Sequence, residues 1–216
     1  MKKIFLFSFI ALVFSSCSFK TNIYKPADFD SKTNGIKTIA VLPFKITTIG
    51  YPPRYISPEE VAMNNEKLAY SFQESLYNYL VLHNSEKNKT QVKSFQPLQK
   101  TIALLRQHHI SAADIYQKQP EEIAQLLGVD AVILTNVEEH KNWDDKTNYK
   151  NSPAAPHTNE DKVWDAAKMN CYIYSSDQSE LLWQTTCNGD TRLADDTASL
   201  IEYFTSWVGK HFPFHG

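Results

Sequence analysis

Apolar residues in this chain come in two patterns, short continuous runs and steps of three or four, and the two patterns take turns. "IKTIAVLPF", from Ile36 to Phe44, is a β-branched and apolar run closing at a proline, which predicts a buried first strand. "KITTIGYPPRYI" then reads as a loop with two prolines. Ser57-Pro58-Glu59-Glu60 offers a serine cap, a proline at the first helical position and a glutamate to complete a capping box. Leu68, Phe72, Leu76, Tyr79 and Leu80 share one face of the helix that follows, which runs to about Leu82.

"TQVKSF" is a short strand candidate, and after Pro97 a helix uses Leu98, Ile102 and Leu105. Ser111 and Pro120 open two short helical pieces, the second stopped by Gly128. "VDAVILTNVEEH" is nearly continuous in apolar residues at first, as a strand covered on both faces is. "MNCYIYSS" and "ELLWQTTC" flank a polar turn and predict a hairpin over 168–188, and a last helix from about Asp195 to His211 presents Leu200, Ile201, Phe204, Trp207 and Val208. The order β-α-β-α-β-β-β-α predicts an α/β domain over 36–216. It would hold a mixed sheet in two or three layers, partly parallel, with an antiparallel hairpin at the C-terminal end.

Ahead of that domain stands a different pattern. Lys2 and Lys3 precede eleven residues, Ile4 to Phe14, that are apolar apart from Ser8, and then come Ser15, Ser16 and Cys17. This is the layout of an export signal, residues 1–16, and it falls short of the about 20 apolar residues that a membrane-spanning helix needs. Residues 17–35 are polar, rich in turn formers and without periodicity, as expected of a tether. Without its first sixteen residues the chain keeps 20 basic and 24 acidic residues, a mildly acidic balance that gives no electrostatic reason to bind nucleic acid.

The segment up to Cys17 resembles bacterial lipoprotein precursors, in which a large apolar residue, two small ones and a cysteine form the lipobox. Phe14 stands where leucine is usual. The resemblance implies cleavage before Cys17 and acylation of Cys17; a plain secretory signal that happens to contain a cysteine is the alternative. No aspartate follows Cys17, which in that resemblance implies the outer membrane, periplasmic face. Several acyl chains hold a domain permanently where one does so only marginally.

In an exported chain Cys171 and Cys187 can form a disulfide. A three-residue loop at Gln178, Ser179 and Glu180 would set them directly opposite each other, whereas a two-residue loop would oppose Cys171 to position 186; two buried thiols are the other reading.

"IAVLPF", "EIAQLLGVDAVILTNV" and "SELLWQTT" together resemble a group of bacterial envelope lipoproteins that includes the curli-secretion lipoprotein CsgG, the penicillin-binding-protein activator LpoB and the related amino-terminal domain of TolB. The resemblance spans Ile36 to about Lys210, with Trp183 as the tryptophan of the late hairpin. It implies an anticodon-binding-like α/β fold and work in envelope assembly or secretion through contact with another envelope protein or with itself. The 45–57 and 140–163 loops lack the alternation of membrane β-strands, so a pore is not expected from them.

No enzyme signature is present: there is no G-x-S-x-G, no H-E-x-x-H, and only six glycines to build a phosphate loop. His108 and His109 are adjacent, about 100° apart on a helix, and lack a third ligand; His83, His140 and His157 are scattered. Asp144, Asp145, Glu160 and Asp161 lack the spacing of a calcium loop. The expectation is therefore a non-enzymatic chain with no catalytic residue, metal or cofactor, binding its partner through loop aromatics Tyr51, Tyr55 and Trp143. The alternatives are an oligomeric secretion component and a small-ligand binder or enzyme with an unrecognised site.

Overall fold

The structure, a computed structural model, describes residues 22–50, 52, 55–84, 93–140, 166–190 and 197–214. Among them are seven strands in one mixed sheet and six helices. The strands are β1 (Asn22–Tyr24), β2 (Thr38–Val41), β3 (Lys45–Ile49), β4 (Ser94–Phe95), β5 (Ala131–His140), β6 (Ala166–Ser175) and β7 (Leu181–Asp190). The helices are α1 (Phe29–Thr33), α2 (Pro58–Asn84), α3 (Leu98–Gln107), α4 (Ala112–Ile115), α5 (Pro120–Leu127) and α6 (Thr197–His211). The sheet order is β1-β7-β6-β5-β2-β4, and β3 pairs with β5 beyond the end of β2.

The sheet is the middle of three layers. Along β5 the side chains alternate: Ala131, Ile133 and Val137 join one core with Phe72, Leu76 and Leu80 of α2 and Phe204 and Val208 of α6. Val132 and Leu134 join the other with Leu105, Ile115, Ile123 and Leu127 from α3, α4 and α5. That two-sided burial is why the sequence of β5 is continuously apolar where helices cover both faces. The predicted helix boundaries hold through their caps: Ser57 and Glu60 exchange hydrogen bonds at 3.0 and 3.2 Å, and Gly128 closes α5 at φ 65°, a left-handed conformation that favours glycine.

Three expectations are corrected. Residues 17–35 do not act as a tether throughout: from Asn22 onward they add β1 to β7 and form α1, whose Phe29 is buried against Phe214 with ring centroids 5.3 Å apart. The amino group of Lys93, itself buried, donates to the carbonyls of Thr33 and Ile36 and fastens this segment to the sheet. Second, Lys45–Ile49 is a strand and not loop; the chain passes Pro43, gains one residue against β5, and pairs again in parallel.

Third, Cys171 and Cys187 are free, and both are buried. The hairpin loop runs from Ser176 to Ser179, closed by the Ser175 N–H donating to Glu180, and Leu182 is the extra residue of a bulge in β7. Cys171 therefore opposes Thr185, and Cys187 opposes Met169. The cysteines share a face but sit two residues out of register, a diagonal of about 7–8 Å that exceeds disulfide reach. Burial pushes the Cys171 thiol up to about 12 and the Cys187 thiol up to about 11, so both stay protonated and inert.

Candidate functional site

β2 is the strand at which the chain changes direction. It connects through β3 and α2 to β4 on one side, and from β4 the chain crosses back over the opposite face through α3, α4 and α5 to reach β5 on the other side. Crevices outside the carboxyl ends of strands at such points are where open α/β sheets take ligands. Here the crevice is a cleft of about 520 Å³ between α2 and α4, with Phe44, Lys45 and Ile46 as its floor. Small residues stand in both walls, Ala62 and Ala69 from α2 and Ala112 and Ala113 from α4, beside the larger Met63, Asn65 and Glu66 on one side and Tyr116 and Gln117 on the other.

Most polar groups along the cleft are already engaged in structure. The buried Tyr116 hydroxyl lies 2.9 Å from the Pro43 carbonyl and 2.7 Å from the Thr135 carbonyl, to one of which it donates, and it accepts from the Thr135 N–H at 3.2 Å. It thus fills the gap that the extra residue before β3 leaves in the ladder with β5, and burial pushes its phenol above the ordinary tyrosine value. Asn65 accepts from the Thr48 hydroxyl at 2.9 Å. Ser111 exchanges bonds with Asp114 as the cap of α4. Glu66, on the α2 wall, and Lys45, on the floor, are the charged residues of the lining. Removing the phenol oxygen by Tyr116→Phe is expected to leave the Thr135 N–H unpaired and cost about 2 kcal/mol, read as a lower denaturation midpoint at unchanged slope.

α4 itself responds to acid. The Ser111 hydroxyl and backbone N–H hold the Asp114 carboxyl below its ordinary value. Because the folded value is the lower one, the cap is complete above the unfolded carboxylate range and is lost as pH falls through the folded value. An NMR titration should show Asp114 and the Ser111 amide shifting together, below the pH at which exposed aspartates titrate; a joint transition at the ordinary position would refute the coupling.

Around the connection from β3 to α2 lie three exposed apolar side chains: Ile49 (41%), Tyr55 (73%) and Met63 (50%). Tyr55 is thus at the surface; Tyr51 and Trp143 lie outside the described residues, as do Cys17, His157 and the acidic residues at 144, 145, 160 and 161. Ile49, Met63 and the cleft were missed in the sequence. The β-branched run Ile46-Thr47-Thr48-Ile49 is a strand-like signal for Ile49 only; its burial alternates, with Lys45, Thr47 and Ile49 exposed, and nothing local marks Met63 or the cleft.

Among the described residues the histidines do not converge. His83 closes onto its own helix, Nδ1 2.8 Å from the Tyr79 carbonyl with the rings stacked, while His108 and His109 end α3 in solvent. Among the described residues no group of three potential metal ligands occurs, and no helix is long and apolar enough to cross a membrane.

No protein-family model and no curated protein matches the chain. Among solved structures it is similar to lipoprotein GNA1162 from Neisseria meningitidis, at 16% identity and TM-score 0.39, covering 81% of this chain and 94% of that one. It is similar to the LpoB C-terminal domain from Salmonella enterica at 13% identity and TM-score 0.40, covering 75% and 92%. It is also similar to the PelC dodecamer from Paraburkholderia phytofirmans at 13% identity and TM-score 0.36, covering 81% and 85%.

Proposed function

We propose that the chain is a lipoprotein anchored through acylated Cys17 to the outer membrane, facing the periplasm, where it acts without catalysis as an accessory in envelope assembly or secretion by binding another envelope protein. The observation that carries the binding role is the exposure of three apolar side chains, Ile49, Tyr55 and Met63, along the stretch where β3 passes into α2. Aromatic and methionine side chains are enriched at protein interfaces. The anchoring role rests on the sequence from Lys2 to Cys17. With β1 beginning at Asn22, the tether is shorter than residues 17–35, and the domain sits close to the bilayer.

The experiment is crosslinking in living cells followed by purification and mass spectrometry, on the native chain, on Cys17→Ser, and on a chain with Tyr51, Tyr55 and Trp143 all replaced by alanine. The native chain should capture a reproducible envelope partner that both altered chains lose. A native chain that fractionates with the outer membrane yet captures nothing overturns the accessory reading, and a partner retained by the triple variant removes those three residues from the interface.

A further inference from the structure

The cleft lies along a strand edge. β3 pairs with β5 on one side, and among the described residues no strand pairs with it on the other. The Leu42 N–H donates to the Ile133 carbonyl, so the odd-numbered residues of β5 turn their backbone toward β2 and β3. In the register of β3 this engages Lys45, Thr47 and Ile49 and turns the backbone N–H and carbonyl groups of Ile46 and Thr48 outward. On the same outer edge, β4 already occupies the position next to β2, pairing at Thr38 and Ile39. Beyond β4 the same edge passes Val41, whose carbonyl accepts from the Gln73 side chain of α2, and Phe44, whose N–H donates to the Ala69 carbonyl, and then reaches the cleft, which has Phe44, Lys45 and Ile46 in its lining and α2 and α4 on either side.

We propose that this cleft takes an extended segment of a partner polypeptide, which adds a strand to β3 and seats one apolar side chain against Phe44, Met63 and Tyr116. The inference rests on the partner-binding reading above and names its mode. Three features select a polypeptide. Outward backbone groups need alternating donors and acceptors at strand spacing, which a backbone supplies and an acyl chain does not; buried by an acyl chain, they would stay unpaired. Ala62 and Ala69 on one wall and Ala112 and Ala113 on the other keep part of each wall low beside the floor, where an extended segment can lie. Lys45 and Glu66 bring opposite charges to the floor and one wall, so the fitting segment carries an acidic and a basic residue beside its apolar one. Strand addition of this kind draws affinity from main-chain bonds and specificity from side-chain pockets.

The test places a photo-crosslinking amino acid at Met63, Ala113, Tyr55 or Asn188 of the full chain in living cells. Adducts from Met63 and Ala113 should map to one segment of a partner, and a synthetic peptide of that segment should slow amide exchange at Ile46 and Thr48 by about tenfold or more in the purified chain. Ala113→Trp fills the cleft and Thr48→Pro removes an outward N–H while sparing the ladder with β5; each should weaken the peptide about tenfold. Thr48→Pro decides the matter should Ala113→Trp fail to fold. A partner captured from Tyr55 but not from Met63 or Ala113 overturns strand addition and leaves the accessory reading standing, as does a peptide that leaves those amides unprotected. An adduct to a second copy of this chain also overturns it, and no adduct from any position overturns both.

Discussion

Phe72→Ala is expected to lower the unfolding free energy by about 3–5 kcal/mol and the melting temperature by roughly 6–20 °C. Phe72 is buried to 1% exposure in the middle of α2, stacked on Phe44 at 5.1 Å and tilted against Phe204 at 6.4 Å. It therefore joins three parts of the fold: the link between β2 and β3, α2 and α6. The alanine forfeits the transfer energy of a phenyl ring and leaves a cavity that the neighbouring rings can fill only by leaving their own contacts. The consequence reaches the cleft, because Phe44 is both Phe72's stacking partner and part of the cleft floor. Urea denaturation gives the stability change, and amide exchange at Ile46 and Thr48 shows whether the strand edge loosens with it. A loss below about 1 kcal/mol would mean that the core collapses onto the site without cost, contrary to close packing.

What could be read in advance and what could not divides along a physical line. Elements whose identity is set by local rules were legible: the capping box at Ser57, the left-handed cap at Gly128, and the two-sided burial written into the run from Val129 to Val137. β3 was not, because Pro43 marks the end of a strand only if the chain leaves the sheet, and here one extra residue lets it rejoin β5. The hairpin register was hidden for a similar reason. Gln178 and Ser179 both adopt left-handed backbone, at φ 56° and 51°, without a glycine to announce it, and the bulge at Leu182 then shifts every later pair. β1 and α1 depend chiefly on tertiary contacts: "NIY" and "FDSKT" are held where β7 offers an edge and Lys93 and Phe214 a clasp. In the site, Tyr55 was legible as a loop aromatic. The cleft was not, since it is made by α2 and α4, which meet only after the chain has crossed the sheet twice.

Gly209→Val tests the packing of α2 on α6, and about 3 kcal/mol of destabilisation is expected from it. The two helices meet through residues in the same order, Phe72 with Phe204, Ser75 with Thr205 at 3.1 Å between their hydroxyls, and Tyr79 with Gly209. A Cβ at 209 would overlap the ring of Tyr79, so glycine is required there by close approach and not by its backbone angles. Tyr79 cannot turn aside freely, because its ring is stacked on His83 with centroids 4.0 Å apart. Inside a helix a glycine costs up to about 0.5–1 kcal/mol relative to alanine, and Gly209 lies in the last turn of α6, so the sign of a substitution here turns on Tyr79. Two further variants isolate that dependence: Gly209→Ala should destabilise in the native background, yet stabilise by up to about 1 kcal/mol once Tyr79→Ala has cleared the space. A double-mutant cycle on thermal denaturation measures the coupling directly. Additive effects would show that the helices separate to accommodate a side chain, and that the α2 wall of the cleft is set by something other than this contact.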